Sequence, residues 1–132
     1  MMHRMMKKPA RPTGAELEIL GVLWQRGAST VRDVYGVLAR TRPIGYTTVL
    51  KLMQNMTEKN LVQRNETQRA HVYEAKAPRE ETQKRLVRDL LDRAFSGSPS
   101  GLIMQALSAR RASSEELAQI RKLLDEYERG RR

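Results

Sequence analysis

The side chains best suited to chemistry in this chain lie in the stretch GYTTVLKLMQNMTEKNLV, from Gly45 to Val62. Wound as a helix, it collects Thr47, Gln54, Asn55 and Glu58 around Lys51 on one arc, with Thr48 at its edge. Val49, Leu50, Leu52, Met53 and Met56 fill the opposite arc, which reads as core. Threonine, lysine, glutamine and asparagine can donate or accept hydrogen bonds at base edges, and a threonine methyl can meet that of thymine. The chemistry on offer is recognition, with no bond made or broken. Glu58 shares the polar arc but would repel phosphates, so the contacting part is expected to run from Tyr46 to Asn55.

Catalysis is poorly served. The two histidines are His3, near the start, and His71, in a segment that alternates like a strand. With no cysteine there is no disulfide, thiolate metal site or cysteine nucleophile. Glycine-rich phosphate loops and nucleophile motifs are missing, and the pairs Glu80-Glu81 and Glu115-Glu116 read as helix-dipole partners. Neither an enzyme nor a cofactor or metal is expected.

The elements around this stretch can be read in order. Thr13-Gly14-Ala15-Glu16 forms a capping box, followed by ELEILGVLWQ, a well-buried first helix that Gly27 ends. Thr30 starts a second helix with Asp33 in its first turn, and Val31, Val34, Tyr35 and Leu38 follow amphipathic spacing. Thr41 to Gly45 breaks it, and the third helix covers about residues 46–60. The period then changes to two, predicting strands over Leu61–Glu66 and Ala70–Ala75 joined by Thr67-Gln68-Arg69. Three helices and a hairpin are the order of a winged helix-turn-helix. The fold class is therefore mainly α with a small β-hairpin.

Past Pro78 helical spacing returns, with Val87, Leu90, Leu91 and Ala94 on one side of a helix over about 79–95. SGSPSG reads as a hinge; Leu102, Ile103, Ala106 and Leu107 mark a short helix; and Ser113 to Glu116 is a capping box that opens a last one. There Leu117, Ile120, Leu124 and Tyr127 form the stripe. About fifty residues would struggle to bury three such stripes alone, so a homodimer is expected in preference to folding back on the first domain. Its candidate contacts are Leu90, Leu91, Leu102, Ile103, Leu107, Leu117, Ile120 and Leu124. The organisation expected is a basic flexible tail over 1–12, a winged-helix domain over 13–78 and a helical dimerisation domain over 79–132.

Charge agrees with a polyanionic partner. The formal net charge is +10, of which Arg4, Lys7, Lys8 and Arg11 in the tail supply +4. No run approaches the length of a membrane span, and no apolar segment follows the basic start, so no membrane insertion and a cytoplasmic location are expected. MMHRMM offers several candidate starts.

PTGAELEILGVLW, STVRDVYGVL, GYTTVLKLMQNMTEKNLV, RAHVYEA and ASSEELAQIRKLL together resemble the penicillinase-repressor family, the BlaI/MecI/CopY type of winged-helix repressors, across about residues 12–128. Ala15, Glu16 and Trp24 match its opening helix, with Pro12 where leucine is usual. The resemblance implies a dimeric transcriptional repressor on a dyad operator of double-stranded DNA. It assigns base and near-base contacts to Thr47, Thr48 and Lys51, puts Tyr46 at the helix entrance and Arg69 at the wing tip beside the phosphates. With Gln54 and Asn55 from the polar arc, these complete the expected DNA-binding set. Members released by a membrane sensor-protease pathway are cut at an Asn-Phe bond, and the aligned dipeptide here is Gln105-Ala106. The Cys-x-Cys pairs of copper-responsive members are absent, so thiolate copper sensing is not expected. The competing reading is a winged helix that docks protein without a specific DNA site, which would not require Lys51 beside a threonine pair.

Overall fold

The structure is a computed structural model that describes residues 11–67 and 69–131. Of the basic stretch at 1–12 only Arg11 and Pro12 fall within it, and Gln68 of the wing turn lies outside the described residues. The elements are α1 (Gly14–Arg26), β1 (Ser29–Thr30), α2 (Val31–Leu38), α3 (Tyr46–Glu58), β2 (Val62–Asn65), β3 (Val72–Ala75), α4 (Arg79–Ala94), α5 (Pro99–Ala109) and α6 (Ser114–Gly130). The chain divides within α4, between Leu86 and Val87, into two compact units.

Local chemistry sets most helix ends in the N-terminal unit. Thr13 and Glu16 close a reciprocal capping box at α1, and Thr30 and Asp33 close another at α2. Gly27 ends α1 at φ 89°, a conformation that favours glycine, and its N–H reaches the Leu23 carbonyl at 2.8 Å. α3 ends two residues short of the expected range. Asn60 turns left-handed at φ 67°, while its N–H bonds the Thr57 carbonyl and that of Leu61 bonds Met56. This is a Schellman motif in which asparagine takes the usual glycine position.

α1, α2 and α3 pack around a core of Ile19, Leu20, Val34, Val49, Met53 and Met56, closed on one side by Val62 and Tyr73 of the sheet. Each such side chain contributes about 1.5–3 kcal/mol by burial. Trp24, at the end of the α1 stripe, donates its indole N–H to the Ala77 carbonyl at 2.9 Å, and Arg79 stacks over its ring. With Thr82 also buried, the first turns of α4 are tied to the N-terminal unit.

The sheet has three strands in the order β1-β3-β2, all antiparallel neighbours, where the alternation predicts only a hairpin. β1 is two residues long and pairs Ser29 with Tyr73 and Thr30 with Val72, partners far away in sequence. The hairpin strands are shorter than expected. Asn65 Oδ1 accepts from the N–H and the hydroxyl of Thr67, which starts the turn before Glu66 can pair.

The C-terminal unit holds the rest of α4, α5 and α6. SGSPSG, expected as a hinge, forms a defined turn. Ser96 and Gly97 both adopt positive φ, Gly97 N–H bonds the Leu91 carbonyl at 2.8 Å, and Ser98 caps α5 with Pro99 as its first residue. Ser113 and Glu116 close a capping box at α6. Neither α5 nor α6 has a buried residue.

Candidate nucleic-acid interface

α3 is amphipathic, and its two arcs have different surroundings. Val49, Met53 and Met56 point into the core and are fully buried. Thr47, Thr48, Lys51, Gln54 and Asn55 are all exposed, so one continuous polar face carries five of the sequence-predicted residues. Gly45, the N-cap, has no side chain to cap the helix, so no side-chain cap meets the first N–H groups of α3. Lys51 pairs with no carboxylate among the described residues. Glu58 is exposed in the last turn, away from the open end.

Tyr46 differs from its neighbours. Its ring meets Tyr35 of α2 edge-on, with centroids 5.8 Å apart, and the Arg32 guanidinium lies over its face at 4.9 Å. The residue that opens α3 is therefore braced against α2. Arg32 and Tyr35 frame the start of α3, yet the sequence pattern did not mark them as site residues. Their i, i+3 spacing on α2 puts them on one face, but nothing local says that Tyr46 meets that face.

The wing contributes unevenly. Arg69 is exposed in the turn and unpaired among the described residues. Arg64 is engaged: hydrogen bonds to the Tyr73 hydroxyl and to Glu66 hold its guanidinium above its ordinary pKa. His71 is exposed. Among the described residues, no cluster of histidine and carboxylate groups could hold a metal.

Behind the polar face, Lys59 anchors α3 to α1. Its Nζ lies 2.8 and 2.9 Å from the two oxygens of Glu16, a carboxylate only 2% exposed. Burial pushes the Glu16 carboxyl up, but hydrogen bonds from Lys59 and the Thr13 N–H, with the Lys59 charge, outweigh it and leave the pKa below its ordinary 4.5. Glu16 thus serves both as the capping-box acid of α1 and as the partner that fixes the end of α3.

A second exposed surface lies in the C-terminal unit. Of the residues expected to dimerise, Leu90, Ile103, Leu107 and Leu124 are large exposed apolar side chains, whereas Leu91, Leu102, Leu117 and Ile120 are half-buried within the unit. Val87, Met104, Leu123 and Tyr127 join the exposed set, and Tyr127 is 73% exposed.

Three helices with a three-stranded sheet and an open third helix define a winged-helix fold, and the comparisons agree. The sequence model of the family described as Penicillinase repressor matches residues 12–126. The chain is 33% identical over 127 residues to the "Transcriptional regulator BlaI" of Mycobacterium tuberculosis, covering 95% of this chain and 91% of that one. It is 21% identical over 122 residues to the "Penicillinase repressor" of Bacillus licheniformis, covering 92% and 95%. The solution structure of the DNA binding domain of the repressor BlaI superposes with a TM-score of 0.51 at 22% identity, over 58% of this chain and 93% of that one. The chain belongs to the penicillinase repressor family. No helix among the described residues is long and apolar enough to cross a membrane.

Proposed function

We propose that this chain is a sequence-specific DNA-binding transcriptional repressor that acts as a homodimer on a dyad operator in the cytoplasm. The observation that carries the reading is the division of α3. Its core arc is buried in the winged helix, while Thr47, Thr48, Lys51, Gln54 and Asn55 stand exposed beside an uncapped helix start. These residues read base edges from the major groove, and Arg69 approaches a phosphate from the wing. Membership of the penicillinase repressor family supports the same reading.

The C-terminal helices join two copies. Exposed Leu90, Ile103, Leu107 and Leu124 supply an apolar surface that a soluble monomer would not ordinarily display, and a two-fold partner would cover it. Two reading helices would then face two half-sites. With Gln105-Ala106 at the position of the family's Asn-Phe bond, the proposal contains no cleavage step there.

Footprinting on the promoter of the protein's own gene tests this reading. A protected, inverted-repeat site bound more tightly than a scrambled duplex at near-physiological salt is expected. Equal binding to both duplexes would leave the winged helix as a protein-docking module and reject the repressor reading.

A further inference from the structure

We propose that Arg32, carried on the ring of Tyr46, is a backbone-phosphate contact that sets how α3 seats on duplex DNA. This inference rests on the DNA-binding reading above and adds to it a residue from outside the recognition helix, together with the part that aims it.

Arg32 is exposed in the first turn of α2, and its guanidinium lies 4.9 Å from the centroid of the Tyr46 ring. No carboxylate among the described residues claims it. The nearest acid in sequence, Asp33, is occupied by the Thr30 N–H at 3.0 Å and by Arg26 at 3.6 Å. A guanidinium above an aromatic face is attracted by the ring without a hydrogen bond, so the contact does not use up its N–H donors. Phosphate is the anion that such a planar donor set matches best on a nucleic acid.

Position and pre-ordering strengthen the assignment. Tyr46 is the first residue of α3, so Arg32 is held at the end of the reading helix that enters a groove first, beside the open N-cap at Gly45. A free arginine loses much rotamer freedom when it meets a phosphate. Here that freedom is already reduced by the ring, and the ring is itself held edge-on by Tyr35 at 5.8 Å. Tyr46 is then a positioning residue for Arg32. This gives the ring, as distinct from its hydroxyl, a role in binding.

The test uses the full-length protein with two equal-length duplexes, the promoter of its own gene and a scrambled control, titrated over a range of salt. Arg32→Ala and Arg32→Gln are expected to weaken binding to both duplexes by about tenfold for each copy bound, the size of one charge-assisted hydrogen bond. The slope of log affinity against log salt should fall by about 0.9 for each copy bound. Tyr46→Leu, which removes the ring, should reproduce most of that slope change. Tyr46→Phe should keep the wild-type slope, whatever the hydroxyl adds to affinity. Adding Arg32→Ala to Tyr46→Leu should cost less than the two single losses combined. Thermal unfolding of each variant separates lost folding from lost contact, since Arg32 is exposed and its replacement should leave the melting temperature unchanged. An unchanged slope in both Arg32 variants would overturn the proposal. A loss confined to the promoter duplex would make Arg32 a base contact and overturn it equally. Wild-type slope in Tyr46→Leu would remove Tyr46 from the mechanism. If the wild type fails to prefer the promoter, the repressor reading falls, while the slopes on the control duplex still judge Arg32.

Discussion

α3 and α6 are both amphipathic helices with one apolar stripe, but the stripes end in different places. Val49, Met53 and Met56 of α3 are at 0% exposure, whereas Leu123, Leu124 and Tyr127 of α6 stand 52%, 53% and 73% exposed. The stripe of α3 is covered by α1, α2 and the sheet, elements of its own unit. α6 finds no comparable cover in the C-terminal unit, which buries no residue of α5 or α6. Periodicity therefore says that a helix face is apolar without saying what covers it. For α3, burial of one arc aims the other outward; for α6, the apolar arc is itself the exposed feature.

The comparison is broken most forcefully at Met53. Met53→Ala should destabilise the protein by about 2–5 kcal/mol in urea or thermal unfolding, because it leaves a cavity among α1, α2 and α3. A loss below about 1 kcal/mol would mean that the N-terminal core is looser than its burial indicates.

Glu16→Gln keeps a capping-box side chain but removes the charge that Lys59 meets, and should cost about 2 kcal/mol. This is less than for a fully buried pair, because the Lys59 side chain is 34% exposed and can turn to water. The pH dependence has a definite sign. Glu16 has a folded pKa below its ordinary 4.5, so its contribution is present above that value and lost as pH falls through the lower folded value. Unfolding curves of the wild type should show this acid loss, and those of Glu16→Gln should lack its share. Identical profiles would remove the pair from the energetics of α3.

Lys51→Ala tests the outward arc of α3. It should leave stability within about 0.5 kcal/mol, yet weaken promoter binding by about 1–3 kcal/mol and relax the preference at one base position. Equal losses on specific and scrambled DNA would reassign Lys51 to a phosphate. The smallest stability change is expected in α6, where Leu123→Ser with Leu124→Ser should alter unfolding of the N-terminal unit by no more than about 0.5 kcal/mol. Sedimentation should nevertheless shift from twice the chain mass to the chain mass at micromolar concentration. A wild type that sediments as a monomer would sink the role given to this face.

Much of the fold was legible because its determinants are close in sequence. Thr13 with Glu16, Ser113 with Glu116 and Gly27 lie within a turn of the helix ends they set, and the buried arc of α3 follows from the spacing of Val49, Met53 and Met56. The same periodicity set out the exposed face from Thr47 to Asn55. β1 was not legible, since two residues carry no period and Ser29 acquires strand geometry only by pairing with Tyr73. The geometry of the turn at SGSPSG was not legible for a related reason: its composition suits a hinge, and the bond from Gly97 to Leu91 is seen only in the folded chain.

The sequence by itself determined where most helices begin, which arc of each is apolar, and that the residue types on the outer arc of α3 suit hydrogen bonding. Tertiary structure decided which distant groups meet: Lys59 with Glu16, Trp24 with Ala77, and Arg32 over Tyr46. The physical reason is range. Caps and periodicity act over three or four residues and are written in the local pattern. A salt bridge or ring contact between elements depends on how helices pack around a common core, and no short stretch of sequence contains that.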